Sequence, residues 1–211
     1  IRTIRWETKT GFWLNDKNVK LLGVCDHLEA GPLGAASSDE IIRWKIQLLK
    51  DMGCNAIRTA HNPQVPVFYD LCDEMGMLVM DEIFDGWSKK AAQDYGKQAF
   101  SKWWEKDMRA WLKRDRNHPS VIIWSLGNET RGKIGKELVR VCHEVDPTRL
   151  TTSGHSASEF MDVVGVNGHS ELKHFVHKAP SKPFVATEAP HTWQVRGYYR
   201  SKTWFRDGPN R

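Results

Sequence analysis

The stretch Arg114-Asp-Arg-Asn-His-Pro-Ser-Val-Ile-Ile-Trp-Ser-Leu-Gly-Asn-Glu129 constrains the fold more than any other part of the chain. Asn117-His118-Pro119 reads as a turn, because Pro119 fixes its own φ and steers His118 out of the α region. Val121 to Trp124 is an unbroken β-branched and aromatic run. Such a run, too short for a buried helix, predicts a strand covered on both faces, as in parallel sheets. Ser125-Leu126-Gly127 leads out of it and delivers Asn128 and Glu129. A carboxylate beside a carboxamide at the carboxyl end of a buried parallel strand is where α/β proteins place chemistry. Alone, Glu129 has a plainer reading, a helix-start carboxylate facing the next helix dipole.

The rest of the chain repeats this pattern. Residues 1–24 read as a β-hairpin, with Ile4, Trp6 and Thr8 alternating against Arg5, Glu7 and Lys9 and a polar turn at Asn15–Asn18. The first strand looks like the tail of a preceding β domain with no partner in this chain. The returning strand, Val19–Val24, ends at Cys25-Asp26-His27. After the Gly31–Ser38 loop, Ser37 and Glu40 form a capping box that opens a helix closed by Gly53. Asn55–Thr59 is a strand followed by Ala60-His61-Asn62-Pro63. A helix from Val65 to Met75 stops at Gly76, and Met77–Met80 is a strand ending in Asp81-Glu82. A long loop then carries Asp85, Trp87 and Tyr95. The helix after it places Trp104, Met108, Trp111 and Leu112 on one face. Beyond the central stretch come a helix at Gly135–Val145 and strands at 150–154, 162–166 and 183–187. They are followed by His155, by Asn167-Gly168-His169, and by Glu188. A short helix is expected at 171–178.

Alternating strands and helices with short connections predict parallel strands and right-handed crossovers. Polar residues after strand ends, with apolar residues inside strands, give the α/β fold expected: a (β/α)8 TIM barrel with its site at the carboxyl-end face. A doubly wound open sheet would want a glycine-rich phosphate loop after an early strand, and none is present. The tail 189–211 lacks a clear apolar run, so the barrel reads as truncated before its eighth strand. Residues 1–16 are expected to be the tail of a preceding β-sandwich domain with its linker, and 17–211 the incomplete catalytic barrel.

Composition narrows the function classes. The net charge of +5 is modest and scattered, which favours a solvated surface over a nucleic-acid footprint. No apolar run approaches the roughly 20 residues of a membrane helix. Cys25, Cys54, Cys72 and Cys142 sit in apolar segments without C-x-x-C spacing, so neither a disulfide framework nor a zinc site is expected. His174 and His177 have a metal-compatible spacing but no third ligand placed to help. Ten tryptophans is an unusual number, and large flat side chains suit both cores and the apolar faces of sugars. Trp87, Trp193 and Trp204 lie in predicted loops, where either use is open. Ile1 is no initiator, so a preceding part is expected and targeting is not legible; bacterial periplasm or cytoplasm is the expected location.

Glu129 and Glu188 each end a strand, and strand ends converge across a barrel mouth. Paired carboxylates suit glycosidic cleavage, with one protonating the leaving oxygen and the other attacking or steadying the sugar cation. The segments Gly53–Pro63, Phe68–Glu82, Arg114–Glu129, Asp146–Arg149 and Lys182–Glu188 together resemble glycoside hydrolase family 2, the family of large bacterial β-galactosidases and of β-glucuronidases. The resemblance implies a retaining mechanism with Glu129 as acid/base and Glu188 as nucleophile. Asn128 would hold the sugar hydroxyl next to the reacting carbon. Arg58, His61, Asn62 and Glu82 match substrate-site positions of the family, and Asp26, His27, Asn167 and His169 are expected around the sugar.

Three departures touch the sugar pocket. Cys25-Asp26-His27-Leu28 stands where the family often has Asn-x-His-Glu. Asn167-Gly168-His169 replaces a common Asn-Tyr pair, and Ala189-Pro190-His191 follows the nucleophile instead of Tyr-Gly. The resemblance implies an exo-acting retaining β-glycosidase, with terminal β-linked galactose as the expected sugar. A β-glucuronidase or β-mannosidase and a non-catalytic sugar-binding barrel are the alternatives. No cofactor or metal is expected, and the expected partner is a carbohydrate rather than nucleic acid or membrane. Any homo-oligomer is expected to form through domains outside this chain.

Overall fold

The structure, a computed structural model, describes residues 2–86, 97–168 and 181–189. The expected helix at 171–178, His169, His174, His177, Trp87, Tyr95, His191, Trp193 and Trp204 lie outside the described residues.

The chain opens with a small antiparallel meander, β1 (Ile4–Glu7), β2 (Gly11–Leu14) and β3 (Lys17–Asn18). This corrects the reading of a first strand without a partner, because Ile4 pairs with Leu14 and Glu7 with Gly11. It also moves the returning strand: Lys17-Asn18, expected in the turn, pairs with β2, and residues 19–22 of the expected strand are not in the sheet. Asn15 and Asp16 both take positive φ (47° and 62°), a tight turn that brings Lys17-Asn18 straight back onto β2.

Five parallel strands follow in sequential order: β4 (Gly23–Asp26), β5 (Ala56–Thr59), β6 (Leu78–Glu82), β7 (Val121–Ser125) and β8 (Thr151–Thr152). A second parallel pair joins β9 (Val164–Asn167) to β10 (Phe184–Glu188). Helices α1 (Asp39–Asp51), α2 (Pro66–Met75), α3 (Lys97–Asp115) and α4 (Lys133–Val145) fill the crossovers. This is a TIM-barrel arc whose closure is not present among the described residues. Between β8 and β9 the connection consists of turns and bends.

Local chemistry explains most boundaries. Helix α1 starts at Ser38, one residue later than expected, so Ser37 and Glu40 do not form a capping box; Ser38 itself makes no side-chain cap bond. At its other end, Cys54 N–H donates to Leu49 O and Gly53 N–H to Lys50 O, with Gly53 at φ 88°. That pair of bonds is a Schellman stop, which needs a left-handed residue where glycine sits. The Asn117-His118-Pro119 turn is fixed by Asp73 of α2, which meets His118 Nδ1 at 2.7 Å and accepts from Ser120 N–H at 2.8 Å.

Every residue of β7 is buried, as expected for a strand covered on both faces. Outside the sheet, Ile57, Val79, Val121 and Trp124 pack against Ile46, Phe68, Tyr69, Leu112, Leu138 and Val141 of the helices. On the inside, Met80, Ile122, Ile123 and Val163 form a second cluster around Phe12 of the meander. Leu78, Leu150 and Val185, all within one residue of strand starts, also join it, so the meander plugs the amino-end opening. Buried apolar contact there stabilises the floor of the barrel and leaves the opposite end for chemistry.

Candidate active site

The site is built at the carboxyl ends of β5, β6, β7, β9 and β10. Strand residues alternate between the helix side and the interior. In β5 this turns Ile57 and Thr59 outward and Arg58 inward. In β6 it turns Asp81 outward, where its carboxylate accepts from Tyr69 OH (2.7 Å) and Trp111 Nε1 (2.8 Å), and Glu82 inward. Glu82 N–H donates to Thr59 Oγ1 at 2.8 Å, locking the two strand ends together.

Arg58 is the hub. Its guanidinium is 4% exposed and forks onto Glu82, with Nε–Oε2 at 3.0 Å and Nη2–Oε1 at 3.1 Å. Its third nitrogen, Nη1, donates to Glu188 Oε1 at 2.7 Å. Glu82 is fully buried and also meets His61 Nδ1 at 2.7 Å and Ser125 Oγ. Burial alone would push its carboxyl up, but the Arg58 charge and the His61 and Ser125 hydrogen bonds hold it below the usual carboxylate range. Burial likewise opposes the charge on Arg58, and Glu82 overrides it, so the guanidinium is held more firmly protonated than usual.

Glu188 is aimed by a bulge. Ala186 pairs with Val166 and Glu188 with Asn167, leaving Thr187 as the extra residue. Besides Arg58, Asn167 Nδ2 donates to Glu188 Oε1 at 3.0 Å, and His61 Nε2 stands 3.9 Å from the same oxygen. Asn167 is itself fixed by Thr187 Oγ1, which donates to its Oδ1 at 2.6 Å. Cys25 Sγ lies 3.3 Å from Thr187 O. Burial pushes the Cys25 thiol up, so it stays an S–H donor that ties β4 to β10 beside the carboxylate.

Glu129 follows β7 through a shaped turn. Gly127 has φ 116°, and a Cβ there would lie 2.5 Å from Thr130 Oγ1. Glu129 itself has φ 54°, a backbone state that a non-glycine residue seldom adopts outside strained sites. The turn is held by Asn128 N–H donating to Phe84 O at 2.7 Å and by Ser153 and Ser158, whose hydroxyls both donate to Thr130 O. Asn128 Oδ1 accepts from Arg58 Nη2 (3.3 Å) and Asn167 Nδ2 (3.2 Å), which links the Glu129 loop to the Glu188 side.

Of the residues singled out in the sequence, Arg58, His61, Glu82, Asn128, Asn167 and Glu188 form one connected network, and Glu129 follows directly on Asn128. His27 is exposed and meets His61 edge-on, with ring centroids 5.4 Å apart. Two do not join. Asp26 faces the helix layer and pairs with Lys45 of α1 at 2.8 Å. Asn62 turns back on Pro63 O at 3.1 Å. Sequence reasoning passed over Cys25, Ser125, Asp85 and Thr187, all of which contact the network. For Ser125 and Thr187 the signal was present, since each lies in a strand beside or near a site carboxylate. The Asp146-Pro-Thr-Arg149 segment is structural: Arg149 donates to Val121 O (2.7 Å), Arg116 O (2.8 Å) and His118 O (3.0 Å), and pairs with Asp146 at 2.6 Å.

Comparison with known proteins bears on the family and the fold. The family model "Glycosyl hydrolases family 2, TIM barrel domain" matches residues 7–197. A Formosa agariphila protein with a provisional β-glucuronidase name is 60% identical over 98% of this chain and 20% of its own length. A β-galactosidase of Bacteroides ovatus is 37% identical over 95% of this chain and 29% of its own. The crystal structure of a β-glycosidase from Bacteroides vulgatus superposes with a TM-score of 0.87 at 47% identity, covering 94% of this chain and 27% of that one. The chain thus spans less than a third of the length of these relatives, and within that span it belongs to glycosyl hydrolase family 2, as part of the family's TIM barrel domain.

Proposed function

We propose that this domain carries the catalytic residues of a retaining exo-β-glycosidase. Glu188 attacks the anomeric carbon while the aglycone oxygen leaves with the proton of Glu129, giving a glycosyl ester on Glu188. Glu129, now a carboxylate, takes a proton from water. That water attacks the same carbon, releasing the sugar with its original configuration and restoring both carboxyl groups. The carrying observation is the fixing of Glu188 Oε1 by Arg58 at 2.7 Å and Asn167 at 3.0 Å, which pre-orients one carboxylate oxygen and leaves the other for attack. In this reading Asn128, linked to both partners, holds the hydroxyl next to the reacting carbon. A 2-deoxy-2-fluoro β-glycoside with a good leaving group should therefore label Glu188 in the full-length protein. Labelling elsewhere, or none with a glycoside that is turned over, would remove the assignment.

For the sugar, a neutral β-galactoside is the reading the site chemistry favours. A glucuronidase needs a cation free to take a substrate carboxylate. Arg58 is committed to Glu82 and Glu188, and its neighbours are carboxylates, amides and imidazole. The second reading, a β-glucuronide, is favoured by the name of the Formosa relative; Arg196 and Arg200, outside the described residues, would then be the candidate clamp. Comparing kcat/KM for nitrophenyl β-galactoside and β-glucuronide separates the two. A preference for the glucuronide by about tenfold, some 1.4 kcal/mol, would overturn the galactoside reading.

A further inference from the structure

The Asn128 carboxamide is held from both ends. Its Oδ1 faces two donors, Arg58 Nη2 at 3.3 Å and Asn167 Nδ2 at 3.2 Å. Arg58 can only donate, and Asn167 presents its amide nitrogen here because the same Nδ2 also donates to Glu188 Oε1 at 3.0 Å, a carboxylate oxygen that only accepts, while its Oδ1 takes the Thr187 hydroxyl at 2.6 Å. At the other end, Asn128 Nδ2 donates to Asp85 Oδ1 at 3.2 Å. The two ends of a carboxamide have nearly the same shape, so its orientation is decided by its partners. Asp85 belongs to the same short segment that fixes the Asn128 backbone, since the neighbouring Phe84 O takes the Asn128 N–H at 2.7 Å. One segment after β6 therefore sets both the main chain and the amide of Asn128.

We propose that Asp85 is a positioning residue for the glycosidase reaction, locking the Asn128 carboxamide with its N–H end available to the sugar hydroxyl beside the reacting carbon. This rests on the reading of Asn128 as that hydroxyl's partner. With one N–H engaged by Asp85, the second N–H of Nδ2 is left as the donor to the sugar. An Asn128 free to flip would present Oδ1 instead and would leave the Arg58 and Asn167 donors facing an NH2 group. Asp85 thus acts through Asn128, and through an interaction that counts most as charge develops at the adjacent carbon.

The test is a double-mutant cycle in the full-length protein, with the nitrophenyl β-glycoside it hydrolyses best and the 2-deoxy analogue of that substrate. Asp85→Ala should lower kcat/KM by about tenfold or more, mostly in kcat, as expected for loss of a hydrogen bond to a charged group. In the Asn128→Ala background the same change should cost no more than about twofold, because contacting residues are not additive. Asp85→Asn keeps an acceptor oxygen and should recover part of the loss. With the 2-deoxy substrate the gap between Asp85→Ala and wild type should shrink to about twofold, which a general loss of folding would not produce. An undiminished cost in the Asn128→Ala background, or with the 2-deoxy substrate, overturns the positioning role. So does an Asp85→Ala enzyme as active as wild type beside a crippled Asn128→Ala enzyme. Wild-type rates for Asn128→Ala would overturn the reading of Asn128 itself, and this inference with it.

Discussion

Arg58 Nη1 and Glu188 Oε1 lie 2.7 Å apart, and the same guanidinium forks onto the fully buried Glu82. One cation therefore neutralises a structural carboxylate and orients the one proposed as the nucleophile. Removing it should affect stability and rate together. Arg58→Ala leaves the buried Glu82 charge with only the His61 and Ser125 hydrogen bonds, a loss expected to cost about 3–5 kcal/mol. Arg58→Lys keeps the charge but cannot fork, so it should recover part of the stability and little of the rate. Denaturant midpoints and kcat measured on the same preparations check this. An Arg58→Ala protein of wild-type stability would contradict the burial argument.

Gly127 is the second point where geometry leaves little freedom. Its φ of 116° and the 2.5 Å approach of Thr130 Oγ1 to an added Cβ, with Phe84 O at 3.2 Å, mean that Gly127→Ala must move the turn. Glu129 is two residues on, already at φ 54°. The substitution should cost about 1–3 kcal/mol in stability. Its effect on substrates with poor leaving groups should be larger than on activated ones, because the carboxyl displaced is the one proposed as the acid/base. Equal losses on both substrate types would count against that account.

The parallel strands, and the placing of Glu129 and Glu188 at or just after strand ends, were legible because continuous apolar runs mark strands covered on both faces and polar residues follow them. The meander was only half legible. The Ile4–Thr8 alternation was clear, but the tight Asn15-Asp16 turn depends on two positive φ values that the residue types permit without requiring. Asp26 and Asp81 show the other limit. Both are polar residues at strand ends, yet side-chain parity turns Asp26 to Lys45 and Asp81 to Tyr69 and Trp111. Parity depends on the exact strand start and on bulges, such as the one between Val79 and Met80, which sequence patterning does not fix.

Phe12 carries a prediction for the floor of the barrel. It is 3% exposed and packs among Met80, Ile122, Ile123 and Val163. Phe12→Ala should cost about 3–5 kcal/mol through lost burial and the cavity left behind. The site is at the opposite ends of these strands, so KM measured well below the new melting temperature should stay close to wild type. A raised KM with unchanged stability would place the meander's influence at the wrong end.

The depressed Glu82 carboxyl sets a pH dependence. A carboxyl group whose folded value lies below its unfolded value near 4.5 adds stability that is complete above about pH 4.5 and is lost as pH falls through the folded value. Glu82→Gln removes this group. The stability gap between wild type and Glu82→Gln should be widest near neutral pH and should narrow as the pH drops below about 4.5. Urea midpoints from pH 6 to 3 give the comparison, and a gap that stays constant would mean that the Arg58 pairing does not hold Glu82 ionised.

The two glutamates differ in what each substrate asks of them. A good leaving group departs without a proton, whereas every substrate needs the nucleophile. Glu129→Ala should therefore cripple hydrolysis of glycosides with poor leaving groups, by about a hundredfold or more, and spare activated aryl glycosides in the first step. Azide, a small anion needing no general base, should then enter the space left by the carboxylate and restore turnover of the accumulated glycosyl-enzyme, giving a β-glycosyl azide. Glu188→Ala should abolish turnover with both substrate types. It also frees Arg58 Nη1 and Asn167 Nδ2 from their shared acceptor, Glu188 Oε1. Wild-type turnover in Glu188→Ala would remove Glu188 from the mechanism. Azide rescue with the β-azide product in Glu129→Ala would fix Glu129 as the acid/base, because no other placement of the two carboxyl groups gives retention through that variant.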